Sequence, residues 1–249
     1  MCYSPGMWSD VIDIRDFYAT PCGQVVRAVL RGAVRSQWPD VRGLNVLGVG
    51  YATPFLSVFR GEARRVVATM PAPQGVLPWP SEGRRLIALS EEAELPFADL
   101  SMDRILLVHA VECTEAVRPF LREAWRVLSG SGRVLVVVPN RRGLWSRLER
   151  TPFGFGQPFS TGQLTALLRD CLFTPVAARP VLFVPPAHSR MILSSARAFE
   201  RVGQRLFPAF SGAIMIEATK QIYAGTPLRS AARKSPVYQT ARSVARPPA

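Results

Sequence analysis

One segment constrains the fold more than any other part of this chain: residues 44–56, with the sequence Leu-Asn-Val-Leu-Gly-Val-Gly-Tyr-Ala-Thr-Pro-Phe-Leu. A hydrophobic strand runs into a glycine-containing turn, and an apolar segment able to begin a helix follows. Glycines at such a turn let the backbone approach a ligand that side chains would block, and nucleotide-binding α/β domains begin in this way. The segment therefore predicts an α/β domain with a ligand crevice at the end of its first strand.

The rest of the chain alternates strand and helix patterns. A near-continuous β-branched run at 133–138 suits a parallel sheet that is covered on both faces. Repeated β–α units predict a doubly wound, mostly parallel seven-stranded sheet with helices on both faces, which is a Rossmann-like α/β fold. The predicted strands are 44–49, 65–69, 85–89, 103–109, 133–138, 181–184 and 213–216, and the predicted helices are 11–37, 115–128, 161–170 (capped by Ser160) and 190–206.

The composition predicts one domain followed by a tail. The chain has 249 residues, 48% of them hydrophobic, which is enough to bury the core of one large α/β domain. We place this domain at 1–224, with a helical N-terminal part at 1–40. Five basic residues lie between Arg229 and Arg246, with no acidic residue after Glu217 and with Pro, Ser and Ala between them. Residues 225–249 are therefore predicted to be a basic, disordered tail.

The net charge of +13 bears on the choice of partner. A surface of this charge attracts nucleic acid, anionic lipid headgroups or acidic proteins. The excess charge is concentrated in the tail, and no separate RNA-binding module is visible, so an RNA-directed activity is possible but not favoured.

Cysteine usage and hydropathy bear on the compartment. Cys2, Cys22, Cys113 and Cys171 lie far apart without a Cys-x-x-Cys pair, which predicts a reducing compartment, no metal site and no disulfide framework. The N-terminus has no apolar signal region, and no apolar run approaches the roughly 20 residues that span a bilayer. We expect a cytoplasmic protein without a transmembrane segment. Peripheral membrane contact and the oligomeric state stay open.

Several motifs follow one another in a characteristic order. The glycine turn of strand one is followed by Glu-Leu-Pro-Phe at 94–97, Asp-Arg-Ile-Leu-Leu-Val-His at 103–109, Leu-Arg-Glu-Ala-Trp-Arg-Val-Leu at 121–128 and Gly-Ser-Gly-Arg-Val-Leu-Val-Val-Val-Pro at 130–139. This order resembles the class I S-adenosylmethionine-dependent methyltransferases, most of all their type 11 methyltransferase domain, over roughly residues 40 to 175. The resemblance implies S-adenosylmethionine as cofactor and a small or lipid-like molecule as substrate.

The resemblance also implies which residues meet the cofactor. The acid that ends strand one in the family aligns with Gly48, and Gly50 matches a loop glycine, whereas Tyr51 departs from the usual small residue. The family's ribose-binding acid falls near Thr69 and Met70, where this chain has no carboxylate. The remaining positions are Glu91 or Glu92 for the adenine and Val108 for the methionine side. The missing acids leave a second reading open, a non-catalytic relative that binds another ligand or a protein partner.

Three further features are candidate functional elements. His109 ends a strand where α/β active sites gather, so it is a candidate general base or else a structural histidine. Helix 190–206 has an apolar stripe that predicts core packing, or else a surface for membrane or dimer contact. The loop 140–159 mixes arginine and aromatic residues and is interpreted as a substrate lid or as a packed cover of the sheet. The lid residues are Asn140, Arg141, Arg142, Trp145, Phe153 and Phe155.

Overall fold

Seven strands form one sheet in the computed structural model, which describes residues 8–187 and 189–222. In chain order the strands are β1 (Asn45–Gly50), β2 (Arg65–Pro71), β3 (Ile87–Ser90), β4 (Met102–Val108), β5 (Leu128–Pro139), β6 (Phe173–Val181) and β7 (Ala213–Lys220). Their order across the sheet is β3-β2-β1-β4-β5-β7-β6, and β7 runs antiparallel between β5 and β6 while the other pairings are parallel. The predicted seven-stranded, mostly parallel Rossmann-like sheet is confirmed.

Helices cover both faces of this sheet. One buried core joins α1 and α2 to residues of β1, β4 and β7, and a second core joins α4 and α5 to the other face. The capping box of Ser160 and Gln163 begins α5 at the predicted position. The helices are α1 (Val11–Ala19), α2 (Pro21–Gln37), α3 (Thr53–Leu56), α4 (Val117–Val127), α5 (Thr161–Asp170), α6 (Arg190–Ser194) and α7 (Ala196–Leu206).

The prediction of one helix over 11–37 is wrong, because the chain breaks between α1 and α2. Thr20 is extended, with ψ 156°, and its hydroxyl accepts a hydrogen bond of 3.0 Å from the backbone N–H of Gly23. Pro21 follows as the first residue of α2, where its missing N–H costs nothing. A proline preceded by a capping threonine thus begins a new helix, and α1 is free to take its own direction.

Three other boundaries also differ from the prediction. The Ser-Gly-Ser-Gly run 129–132 belongs to β5 and is not the loop after the preceding helix. Strand β6 occupies Phe173–Val181 instead of 181–184, and it contains two prolines, which an edge strand accommodates. The helix predicted over 190–206 is divided at Ser195 into α6 and α7.

The predicted tail 225–249 and the first seven residues of the predicted domain lie outside the described residues. Within 8–187 and 189–222, no helix combines the length and the apolar character needed to cross a membrane. In the same ranges, Cys22, Cys113 and Cys171 are free thiols, and no cluster of three or more potential metal ligands is present.

Candidate active site

The turn after β1 packs directly onto the end of β4. Gly50 has a φ of +75°, and a Cβ at this position would lie 2.5 Å from the carbonyl oxygen of Val108 and 2.9 Å from Cβ of Ala110. Any other residue would be strained at this positive φ, and its side chain would collide with the carbonyl oxygen of Val108. Glycine is therefore required. The turn therefore lies against the end of β4 and closes one end of the crevice.

Neither predicted acid position carries a carboxylate, and the space beside Gly48 is occupied. A Cβ on Gly48 would lie 2.5 Å from Cδ1 of Leu56 and 2.8 Å from Cβ of Ala52, so α3 fills the space that an acidic side chain needs. At the end of β2, Met70 is fully buried in the apolar core. Its neighbour Thr69 donates a hydrogen bond of 2.6 Å to the hydroxyl of Ser90.

Helix α1 covers the carboxyl ends of the strands. The hydroxyl of Tyr18 lies 2.9 Å from Nε2 of His109, and the ring of Tyr18 stacks on that of Tyr51 with centroids 5.5 Å apart. The side-chain amide of Gln74 donates a hydrogen bond of 3.0 Å to the carbonyl oxygen of His109. All four side chains are buried, so the crevice is closed in this conformation.

His109 and Glu112 form a buried polar pair beneath this cover. Nδ1 of His109 lies 3.4 Å from Oε1 of Glu112, whose second oxygen accepts a hydrogen bond of 3.2 Å from the backbone N–H of Ala110. Burial, and secondarily Tyr51 and Glu112, hold the pKa of Tyr18 well above its usual value, so the phenol stays protonated and can donate to Nε2 when this nitrogen carries the lone pair. The ring proton of a neutral His109 then lies on Nδ1, facing Glu112.

The other predicted cofactor residues are only partly brought together. Val108 contacts Gly50 through its carbonyl oxygen, as described above. Glu92 accepts a hydrogen bond of 2.5 Å from the indole N–H of Trp8 and another from the hydroxyl of Thr114. Glu91 is exposed, forming only a β-bridge to Glu94. Sequence reasoning missed Tyr18 and Gln74, since neither lies in a recognisable motif.

The predicted lid loop has an aromatic interior and a basic exterior. Phe153 packs edge-on against His109 at 5.0 Å between ring centroids, and the buried Trp145 donates a hydrogen bond to the carbonyl oxygen of Val184. Phe155 is 44% exposed, and most of the arginine side chains in the loop are exposed as well. Asn140 donates to the carbonyl oxygens of Ala209 and Ser211. The loop therefore walls the crevice through Phe153, while Arg141 and Arg142 face outward.

The strand order, with an antiparallel β7 between β5 and β6, defines a class: the Rossmann-like fold of class I S-adenosylmethionine-dependent methyltransferases. A methyltransferase from Thermotoga maritima, described as a possible histamine N-methyltransferase, has a TM-score of 0.60 at 16% identity and covers 85% of this chain and 96% of its own. The [4+2]-cyclase SpnF has a TM-score of 0.53 at 20% identity over 78% of this chain and 80% of its own. At these identities the similarity shows the fold alone.

The sequence comparison gives the family within this class. Residues 31–136 match the family described as "Methyltransferase domain", which confirms the resemblance to the type 11 domain of class I methyltransferases. A probable S-adenosylmethionine-dependent methyltransferase of Mycobacterium tuberculosis (strain ATCC 25618 / H37Rv) is 39% identical over 90 residues, or 34% of this chain. This chain covers 31% of the length of that relative.

S-adenosylmethionine is the cofactor that the family and the name of this relative imply. The residues present do not fit the hydrogen-bonding scheme that the resemblance implies for it, because Gly48 leaves no room for a carboxylate and Met70 is apolar and buried. Three buried polar atoms in the described crevice form no hydrogen bond: Oε1 of Gln74, and the facing Nδ1 of His109 and Oε1 of Glu112. A donor bound here has to meet different side chains from those of the family scheme.

Proposed function

We propose that this protein is an S-adenosylmethionine-dependent methyltransferase that acts in the cytoplasm on a small or lipid-like molecule. One observation carries the proposal: the family match over 31–136 includes β1 and β4, whose ends carry Gly50 and His109 in the crevice. The methyl group of the donor is already electrophilic, so a catalyst of this class mainly orients the reactants and excludes water. A buried crevice without a metal cluster in the described residues is compatible with that demand.

In this proposal, His109 is the base that accepts a proton from the substrate. Its Nε2 carries the lone pair in the tautomer described above, and Glu112 orients the ring from Nδ1 at 3.4 Å. The hydroxyl of Tyr18 is hydrogen-bonded to Nε2 in the closed crevice, so α1 has to move before a substrate reaches this atom. Tyr18 is therefore a reversible cover of the base.

The walls of the crevice support an apolar or lipid-like substrate. The rings of Tyr18 and Phe153 contact His109, and Tyr51 stacks on Tyr18. No basic side chain contacts His109 among the described interactions. Aromatic walls favour planar or apolar groups, whereas an anionic group would need a fixed positive partner.

A specific observation favours a second candidate function, a non-catalytic relative that uses the crevice for another ligand or for a protein partner. Neither acid position carries a carboxylate, and losing two charge-assisted hydrogen bonds weakens donor binding by about a hundredfold or more. The fold itself does not decide between the two, since a [4+2]-cyclase shares it.

Isothermal titration with S-adenosylmethionine and S-adenosylhomocysteine separates the two candidates. The methyltransferase proposal expects binding at roughly micromolar concentration. Absence of binding even at millimolar donor would favour the non-catalytic relative. Where the donor binds, transfer of labelled methyl groups to extracted small molecules is measured for wild type, His109→Asn and His188→Asn. The last variant is the same substitution at the other histidine of the chain. Loss of transfer in His109→Asn alone, with donor binding retained, supports the role of His109 as base.

A further inference from the structure

Helix α7 turns an apolar face toward solvent. Phe199, Val202 and Leu206 follow one another at helical spacing and are 37%, 51% and 62% exposed. The chain continues with Phe207 and Phe210, which are exposed by 57% and 64%. These five residues are called the α7 surface below. The prediction that the stripe on 190–206 packs in the core is wrong for Phe199, Val202 and Leu206. The other members, Ile192, Leu193 and Ala196, are half-buried or buried. Contiguous exposed apolar residues of this kind mark interaction sites.

The opposite side of α7 fixes the orientation of the helix. A Cβ on Gly203 would lie 2.3 Å from the ring of Phe183, so the helix and this ring are in close contact. The carboxylate of Glu200 accepts hydrogen bonds from the backbone N–H groups of Leu182, Phe183 and Val184. Because both contacts depend on the present rotation of the helix, the α7 surface cannot turn inward without breaking them.

Positive charge accompanies the α7 surface. Of the four arginines on α6 and α7, Arg190 and Arg205 are exposed, whereas Arg197 and Arg201 line a cavity against α2 and β6, away from the apolar face. The single acid of these two helices, Glu200, points inward to the backbone. The basic loop after β5 lies beside the same region, because Asn140 bonds Ala209 and Ser211 on either side of Phe210. In that loop Arg142 lines a cavity together with Pro208 and Ala209, and Leu144 is 56% exposed.

We propose that the α7 surface docks on an anionic lipid bilayer. The phenylalanine and aliphatic side chains would enter the headgroup boundary, and the arginine side chains would contact anionic headgroups. A helix with a large apolar face, a basic polar face and little acidic charge is suited to lie in the plane of a membrane interface. Arg205, which precedes Leu206, and Arg142, which lies near Pro208 and Ala209, make the attraction specific for anionic lipids.

Charge also argues against two other occupants of the α7 surface, namely the C-terminal segment of the chain and a second copy of the chain. The segment after Glu217 contains basic residues and no acid, so it carries the same sign of charge as the arginines around the α7 surface. A second copy of the chain, in an isologous contact, would bring the arginines of one copy toward those of the other. Anionic lipid is the partner that matches both the apolar and the basic part of the surface.

Vesicle flotation with the full chain tests this proposal. Wild type is expected to bind vesicles that contain phosphatidylglycerol and to bind pure phosphatidylcholine vesicles much more weakly. The double variant Phe207→Ser/Phe210→Ser is expected to bind anionic vesicles about tenfold more weakly, since apolar insertion is lost. Arg205→Gln removes one charge near the bilayer and is expected to weaken binding about fivefold.

Two control variants carry comparable substitutions away from the α7 surface, an apolar residue to serine and an arginine to glutamine. Leu89→Ser changes an exposed leucine on the edge strand β3, and Arg64→Gln removes one exposed arginine before β2. Both controls keep the tail and are expected to bind as wild type does. Equal binding by all variants would overturn the proposal, because the tail alone would then account for binding. It would also be overturned if sedimentation showed a wild-type dimer that Phe207→Ser/Phe210→Ser converts to a monomer.

Discussion

The rings of Tyr18 and Tyr51 stack with an interplanar angle of 7°, and this contact joins α1 to the turn after β1. The same Tyr18 bonds His109 at the end of β4 through its hydroxyl. One side chain therefore connects the helical cover, the glycine turn and the candidate base. The closed state of the crevice depends on interactions that single substitutions can remove separately.

Tyr18→Phe keeps the stacked ring and removes only the hydroxyl. We expect a loss of about 1 kcal/mol in the free energy of unfolding, because Nε2 of His109 loses its partner in a buried environment. Since the same change weakens the closed state, the affinity for S-adenosylmethionine is expected to rise by no more than about fivefold. Urea denaturation and titration calorimetry measure the two effects. Tyr51→Phe, in the other ring of the stack, is the control. An affinity that stays unchanged in Tyr18→Phe would argue against α1 as the cover of the donor site.

Gly48→Asp restores the residue type that the family carries at this position. We expect it to lower the free energy of unfolding by about 1–3 kcal/mol and not to improve donor binding, because Leu56 and Ala52 occupy the space of the new side chain. Adding Leu56→Ala should make the combined loss smaller than the sum of the single losses. Gly61→Asp, at a glycine with open space around it, is the matched control in thermal unfolding. A clear gain in donor affinity from Gly48→Asp alone would contradict this account.

Glu217→Ala should be strongly destabilising, because this buried carboxylate ties α2 to the sheet. It accepts hydrogen bonds from the side chains of Gln37 (2.7 Å), Trp38 (2.9 Å) and Arg133 (3.2 Å). Removing it leaves these donors without their acceptor, at an expected cost of about 2–4 kcal/mol in the free energy of unfolding. Chemical denaturation compares this variant with Glu115→Ala, which truncates an exposed glutamate. Equal stability of the two variants would show that the network contributes little.

The stability of the α7 packing should depend on pH through Glu200. Burial raises the pKa of Glu200 above its ordinary value of 4.5, although three backbone N–H donors act in the opposite direction. The folded state thus favours the protonated carboxyl, and the stability that this group contributes is present below about pH 4.5 and lost as the pH rises through the raised pKa. Relative to wild type, Glu200→Gln is therefore expected to gain in melting temperature as the pH is raised from about 4 to 8.

The control for this pH series is Glu82→Gln, at an exposed glutamate. Its difference in melting temperature from wild type should be nearly constant over the same range. A Glu200→Gln variant that loses melting temperature relative to wild type as the pH rises would mean that the backbone donors, and not burial, dominate at this carboxylate.

The fold class and most of the strands could be predicted because each β–α unit has its own local pattern. The apolar runs of β4 and β5 and the capping of α5 by Ser160 are properties of short stretches of sequence. The break between α1 and α2 was also encoded locally, in Thr20 and Pro21, but the apolar period across it suggested one continuous helix. In β6, prolines were misleading because their tolerance depends on the edge position of the strand, which is set by the whole sheet.

The arrangement at the site depends on contacts that local patterns do not contain. Tyr18 and His109 are 91 residues apart in the chain, so nothing in either segment indicates their hydrogen bond. The stripe on α7 has the same spacing whether it faces the core or solvent. Its orientation is decided by the contact between Gly203 and Phe183 and by the hydrogen bonds of Glu200. Periodicity predicts that a helix has two faces, but only its neighbours determine which face is buried.

The hydrogen bonds of Asn140 have a mechanical consequence. Its backbone N–H donates to Gly212 and its side-chain amide donates to Ala209 and Ser211, so the last turn before β7 is fastened to the end of β5. Phe210 lies between two of these anchored residues, and the loop that carries Phe153 to His109 begins at the anchor itself. The end of the α7 surface and the loop that forms a wall of the crevice are therefore joined through the hydrogen bonds of one residue, Asn140.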